Sequence, residues 1–328
     1  MFNFNFYEKR NIFFIVSGIL ILACIIMIFV NGVSLDIQFK GGAVLKYEYS
    51  GEIDENAIAE TAQEVLDVTL SVTKTNDPIN DIQQVVLNIS GNIALDSSTQ
   101  YELSEALTQA FPDNSLKLSE AFSVNPSIGA EFLRKGLTAI ILACIITVIY
   151  VSMRFKIIHG LSAAIMALVA LLHDVIMVFL AYVAFKIPLD NGFIAVILTI
   201  LGYSINDTIV IYDRLRENQR ILGSKTTFAN LINVSSNQTL TRTINTSLTT
   251  VASMLCVLIV ALVYNLTSIV NFALPMMVGL ISGCYSSLFI ACPLWVVWNE
   301  HKLNVRKKIF NENKNTKNTT KNQKKKKK

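Results

Sequence analysis

Six stretches of this chain are apolar over a length that suits a bilayer, and one long polar stretch separates the first from the rest. About 20 consecutive apolar residues cross the hydrocarbon core as a helix. Residues 11–30 (NIFFIVSGILILACIIMIFV) satisfy that, as do stretches near 136–153, 160–185, 193–212, 244–264 and 269–297. The segment between the first two, 31–133, alternates between strand and helix periodicities. AVLKYEY (43–49) alternates like a strand, and DENAIAETAQEVLD (54–67) has helical spacing with Asp54 as N-cap. VTLSVTK (68–74) and QVVLNIS (84–90) read as strands around a turn, NDPIND (76–81). SSTQYELSEALTQAF (97–111) reads as a helix opened by Ser/Thr and closed by Pro112, and SLKLSEAFSV (115–124) as a last strand. The order βαββαβ predicts a ferredoxin-like α+β domain. The predicted fold class is thus a polytopic α-helical membrane protein with six transmembrane helices and that domain inserted between the first and second.

Composition agrees: 52% of the 328 residues are hydrophobic and 16% charged. The charge distribution adds an orientation. Residues 31–134 carry 16 acids, whereas the 27 residues from Lys302 carry 12 Lys/Arg and one acid, Glu312. Lys9 and Arg10, the 154–159 loop, the long loop expected over 213–243 and the tail are all basic. The positive-inside rule then gives N-in and C-in, with 31–133 extracytoplasmic. The first apolar run is too long for a signal peptide, and no small-residue cleavage site follows it, so an uncleaved anchor is expected. The predicted division is 1–30 (N-terminal segment and first helix), 31–133 (extracytoplasmic domain), 134–300 (five-helix bundle) and 301–328 (basic tail). Low complexity in that tail predicts disorder; a basic tail can mark nucleic-acid binding, but beside a membrane span it points to anionic lipid or to a place near a ribosome. The five cysteines lie in apolar runs, which argues against a disulfide framework or a zinc site. No cofactor is expected.

The candidate chemistry lies inside the membrane stretches. The fourth runs from Phe193 into a charged helix as FIAVILTILGYSINDTIVIYDRLREN, with Asp207 in its apolar part. A carboxylate near the centre of a membrane helix costs about 2.5–3.5 kcal/mol or more, so its retention argues for use as a proton or ion site, or as half of a buried pair. At 100° per residue Thr199, Tyr203, Asn206 and Asp207 share a sector that Arg214 continues. A hydrogen-bonding Asp that pins two helices is the alternative. His173 and Asp174, mid-way along the third stretch, are further candidates for the proton pathway, Asp174 on a stripe with Ala163, Ala167 and Ala170; a buried neutral His that only hydrogen-bonds is the alternative for His173. Arg242 opens the fifth, and Thr246, Thr249 and Ser253 repeat its face. Arg242 reads either as an interface anchor or as the electrostatic partner of Asp207, which protonation would release. Gly279 and Gly283 form G-x-x-x-G beside Ser282, Ser286 and Ser287, a pattern for close helix packing. At the basic end, Asp213 and Arg214 are candidates for a cytoplasmic interface.

Several of these segments resemble one family. GYSINDTIVIYDRLREN, SSNQTLTRTINTS (235–247), ALLHDVIM (170–177) and VNPSIGAEFLRKG (124–136) are similar to the signatures of the SecD/SecF protein-export family, within the resistance-nodulation-division superfamily. The resemblance runs from residue 11 to about 300. It implies a non-enzymatic subunit that uses the proton-motive force to assist export through the Sec pathway across the bacterial cytoplasmic (inner) membrane. It further implies a SecD-like partner, a SecYEG channel and unfolded client proteins, with Asp207 and Arg242 at the positions of the family's proton-pathway Asp and Arg. One departure stands out: where the family reads Asp-Phe-x-Gly-Gly-Thr after the first span, this chain has Gln38-Phe39-Lys40-Gly41-Gly42-Ala43. A stand-alone proton-driven lipid or drug transporter of the same superfamily is the competing reading, but such proteins repeat the six-span unit and no internal repeat is found here. An intramembrane aspartyl protease using Asp174 and Asp207 would require a Gly-x-Gly-Asp motif that the sequence lacks.

Overall fold

A computed structural model describes residues 4–68, 70–76, 82–90, 95–223 and 226–307. Most of the 76–81 turn and the basic tail beyond 307 lie outside those residues. The first helix, α1 (Arg10–Asn31), is followed by a four-residue helix, α2 (Ile37–Lys40). Four strands come next in the chain: β1 (Gly42–Glu48), β2 (Leu70–Asn76), β3 (Gln83–Ser90) and β4 (Lys117–Val124). Helix α3 (Glu55–Leu66) joins β1 to β2, and α4 (Ser97–Ala110) lies between β3 and β4. The sheet order is β2-β3-β1-β4 with every neighbouring pair antiparallel.

Period-two alternation aims Ala43, Leu45 and Tyr47 of β1 and Val85, Leu87 and Ile89 of β3 at Ile58 and Ala62 of α3 and Leu103 and Leu107 of α4. Both helices therefore cover one face of the sheet. Asp54 caps α3 as expected, accepting from the Asn56 amide at 3.0 Å. The cap of α4 is instead Asp96, which accepts from the Thr99 amide at 2.9 Å and the Thr99 hydroxyl at 2.6 Å. A carboxylate one residue before the Ser/Thr cluster takes the exposed amide that a hydroxyl was expected to hold. Gly42 has φ +131°, and a Cβ there would stand 2.3 Å from the Ile89 carbonyl oxygen, so the entry to β1 requires glycine.

Five longer helices follow: α5 (Pro126–Arg154), α6 (Gly160–Ala184), α7 (Asn191–Leu222), α8 (Phe228–Val263) and α9 (Thr267–Ser286). A π turn at Ser287–Ala291 widens the last of these before the helix resumes to Lys307. Among the described residues, six helices are long and apolar enough to cross a membrane. Helices α6, α7 and α9 form the interior, and α1 and α5 expose long apolar faces such as Ile12, Ile15 and Ile19, or Ile141, Ile145 and Ile149. The G-x-x-x-G pair does what small residues allow. A Cβ on Gly279 would lie 2.6 Å from Ile200 and 2.8 Å from Val178, and one on Gly283 would lie 3.0 Å from Ser204 Cβ.

The stretch 213–243 is not a long loop. Helix α7 continues to Leu222 and α8 starts at Phe228, so two helical extensions project beyond the apolar spans. Polar bonds zip them together: Arg214 Nε donates to Gln238 Oε1 at 2.6 Å, and Asn218 Nδ2 donates to Ser235 Oγ at 2.9 Å. The N-terminal residues dock on the same extension. Asn237 bonds both the amide and the carbonyl of Phe4 (2.9 and 2.7 Å), and Asn233 accepts from the Tyr7 amide (3.1 Å).

Candidate functional site

The two intramembrane carboxylates occupy unlike environments. Asp174, on α6, is fully buried. Three serine hydroxyls donate to it: Ser204 of α7 and Ser286 of α9 to Oδ2, at 2.6 and 2.7 Å, and Ser282 of α9 to Oδ1, at 2.6 Å. Charge-assisted O–H···O⁻ bonds fall at 2.5–2.7 Å, so these sit in the strong range. One carboxylate thus fastens three helices. His173 Nδ1 lies 3.5 Å from Asp174 Oδ1 and 3.4 Å from Ser282 Oγ. Its Nε2 is buried with no hydrogen-bond partner among the described residues, and its ring lies beside Tyr285. The serines near Gly279 and Gly283 therefore do more than permit close packing, since Ser282 and Ser286 hold the buried Asp174 carboxyl. Ser204 was not foreseen at all, although it lies one turn before Thr208 on the face of α7 that meets α9 and the π turn.

Asp207, also buried, is held far more loosely. Ser247 of α8 donates to its Oδ2 at 3.4 Å. Tyr203, one turn earlier on α7, donates to Ser247 Oγ or to Thr250 Oγ1, both at 3.4 Å. Arg242 and Asp207 form no ion pair. Arg242 is exposed, yet near enough for its charge to act on Asp207. Helix geometry gives the reason. Ser247 is five positions after Arg242, about 140° around α8, so when Ser247 faces Asp207 the guanidinium points away. The expected polar stripe splits accordingly. Thr249 and Ser253 follow Arg242 on the exposed side with Thr246 half-buried, whereas Thr239, Thr243 and Ser247 make the buried side. The α7 sector divides too, with Thr199 and Asn206 exposed and Tyr203 half-buried.

Asp213 and Arg214 serve the bundle's own basic end. Asp213 pairs with Arg216 at 2.6 Å and with Arg154 of α5 at 3.3 Å, and Arg214 joins α7 to α8 through Gln238. At the opposite end of α7, Asp190 caps the helix by accepting from the Phe193 amide at 3.1 Å. Gln38 Oε1, the departure after α1, accepts from the next amide in that first turn, Asn191, at 3.3 Å. Backbone bonds Asp36 N to Leu189 O (2.9 Å) and Leu189 N to Ser34 O (2.8 Å) complete the junction. The segment leading to the sheet is therefore tied directly to the helix that carries Asp207. Burial pushes the Asp190 carboxyl up, the Phe193 amide opposes this, and the neighbouring Asp36 adds to it.

The family model for the C-terminal part of the protein-export membrane proteins SecD and SecF matches residues 103–301. Protein translocase subunit SecF of Alicyclobacillus acidocaldarius is 32% identical over 300 residues, covering 92% of this chain and 94% of that protein. Protein translocase subunit SecDF of Bacillus subtilis is 34% identical over 306 residues, 91% of this chain but 38% of the relative. A crystal structure of SecDF from Thermus thermophilus, described as a translocon-associated membrane protein, superposes with a TM-score of 0.73 at 27% identity over 91% of this chain. This chain spans 39% of that solved one.

Proposed function

Because the chain belongs to the SecD/SecF family of protein-export membrane proteins, we propose that it is an accessory subunit of a Sec translocase that uses the proton-motive force to promote export. It is a bacterial multi-pass membrane protein, and the charge pattern supports N-in and C-in with residues 31–133 outside the inner membrane. The antiparallel order β2-β3-β1-β4 with two helices on one face supports a ferredoxin-like domain over 31–133, followed by a bundle over 134–300 and a basic tail over 301–328. The partner is a SecD-like protein. The fused SecDF relatives support this, as does the exposed polar face of α7 and α8 (Thr199, Asn206, Asn245 and Thr249), which lipid does not tolerate. A SecYEG-type channel, unfolded clients and membrane lipid complete the proposed surroundings.

The observation that carries the mechanism is the contrast between the two carboxylates. Asp174, fixed by three short bonds with His173 beside it, is the pivot; Asp207, loosely held and near Arg242, is the group that gains and loses the proton. Low dielectric favours the neutral acid and a nearby cation favours the carboxylate, so a proton gradient tips a balance that neither term fixes alone. When Asp207 is protonated its hold on Ser247 and on the Arg242 charge weakens, and α7 and α8 shift. Helix α7 is tied at its first turn to residues 34–38, so the shift reaches the sheet domain. Tyr203, Asn206, Thr246 and Thr249 make the supporting polar face, and Asp213 with Arg214 form the proposed cytoplasmic interface. Inner-membrane vesicles depleted of this chain test the role. Restoring it together with its partner is expected to restore a gradient-dependent increment of export, and no increment on restoration would overturn the proposal.

A further inference from the structure

The hydroxyls around Asp207 form an ordered series, and hydrogen counting fixes its direction. An ionised carboxylate only accepts, so Ser247 gives its single hydrogen to Asp207 Oδ2. Ser247 Oγ then accepts; Tyr203 is the hydroxyl that reaches it, and the Cys284 thiol of α9 lies against the same oxygen. When Asp207 is protonated the logic reverses: the acid donates to Ser247, Ser247 donates to Tyr203, and the Tyr203 hydrogen turns to Thr250 Oγ1. Thr250 is ready to accept because its own hydrogen is engaged by the Thr246 carbonyl at 2.9 Å. The two acceptors of Tyr203 stand at the same 3.4 Å. Tyr203 is half-buried, and Gly202, Asn206 and Thr249 on neighbouring turns are exposed, on the polar face proposed to meet the SecD-like partner. A Cβ on Gly202 would meet open space. One turn places Tyr203 about 6 Å from Asp207 along α7, toward the Asn191 end.

We propose that Tyr203 and Ser247 are a hydroxyl relay that carries protons between the exposed polar face near Gly202 and Asp207, with Thr250 as the resting acceptor of the Tyr203 hydrogen. The inference rests on Asp207 being the proton-responsive group. In the uptake direction a hydronium at that face gives a proton to the Tyr203 oxygen. The Tyr203 proton passes to Ser247 Oγ, and the Ser247 proton passes to Asp207 Oδ2. One O–H bond breaks as another forms at each hydroxyl; the hydronium becomes water and the carboxylate becomes the acid. Uptake leaves the Tyr203 hydrogen pointing to Thr250, and rotation back toward Ser247 after Asp207 is discharged resets the chain. The other charged and titratable groups at Asp207 are Arg242 on α8 and Cys284 on α9. Neither offers a donor bond to the carboxylate in this arrangement, which leaves Ser247 as the bonded entry.

Tyr203→Phe keeps the ring and removes the relaying oxygen, and Ser247→Ala interrupts the next link. Both are assayed beside Asp207→Asn in sealed vesicles containing the whole export complex, at matched protein levels, in H2O and D2O. Proton transfer by a positioned group contributes about 10²–10⁴-fold in rate, so each relay variant is expected to slow the gradient-dependent increment at least about tenfold. The slowing should deepen in D2O more than for the parent, which a packing defect would not produce. If Asp207→Asn abolishes the increment while both relay variants keep the parental rate and isotope response, the relay is overturned and the role of Asp207 stands. If Asp207→Asn keeps the increment, the underlying assignment fails. Should Tyr203→Phe not accumulate, Ser247→Ala decides alone by the same two readouts.

Discussion

Replacing Asp174 should cost far more stability than replacing Asp207, although both are buried aspartates on neighbouring helices. Asp174→Ala leaves the hydroxyls of Ser204, Ser282 and Ser286 without their acceptor on three helices. Interhelical hydrogen bonds in membranes average about 0.6 kcal/mol and reach about 1.7, and charge-assisted bonds lie at the upper end. Three of them give roughly 4–5 kcal/mol, close to a thousandfold or more in the unfolding equilibrium. Ser286→Ala removes one such bond and should cost about 1.5 kcal/mol. Asp174→Asn should fall between, since rotating hydroxyls can donate to the amide oxygen and accept from its nitrogen. Asp207→Asn loses one 3.4 Å contact and should cost about 0.5 kcal/mol or less. Reversible unfolding of the purified complex in bicelles measures all four. Equal costs for Asp174→Ala and Asp207→Asn, or a larger cost for the latter, would refute the division into pivot and proton site.

Other consequences are as direct. Gly279→Ala presses a methyl group onto Ile200 and Val178 and should cost about 1–3 kcal/mol by the same unfolding measurement. Gly42→Ala combines φ +131° with a 2.3 Å approach to the Ile89 carbonyl; limited proteolysis should reveal a loosened sheet with the helix bundle still protected. The upward displacement of the Asp190 carboxyl means the folded state binds its proton more tightly than the unfolded one. Its contribution therefore weakens as pH rises from about 3.8 through the displaced value, and Asp190→Asn, which keeps a capping oxygen at the Phe193 amide, should flatten that part of a stability–pH curve.

The strongest sequence signals proved to be the longest periodic ones. Six apolar runs became six helices, and alternation in 43–49 and 84–90 became the two central strands. What escaped the sequence depends on side-chain direction and on partners distant in the chain. The helical continuation through 213–243 looked like a loop because apolarity stopped, but Arg214, Asn218, Ser235 and Gln238 supply the missing contacts as polar bonds. Arg242, Thr246 and Thr249 shared a helical stripe and drew attention to the exposed side of α8. Ser247 is the residue that reaches Asp207, and it was present in the same motif, about 100° away from Thr246. Asp174 was visible as a costly charge, whereas its hydroxyl donors at 204, 282 and 286 come from helices that only the fold brings together. A wide turn at Ser287–Ala291 had no periodic trace, because one extra residue per turn leaves no mark in an apolar sequence.

The account stands on Asp207 changing its protonation state while the bundle is powered. The most direct measurement is export into sealed inner-membrane vesicles that carry either the parent chain or Asp207→Asn, at equal levels and with partner binding verified, in the presence and absence of a proton gradient. Asparagine matches the protonated acid in shape and cannot cycle. The expected result is parental export without the gradient and loss of the gradient-dependent increment when it is applied. An Asp207→Asn protein that retains the full increment would make the carboxylate structural and contradict the mechanism.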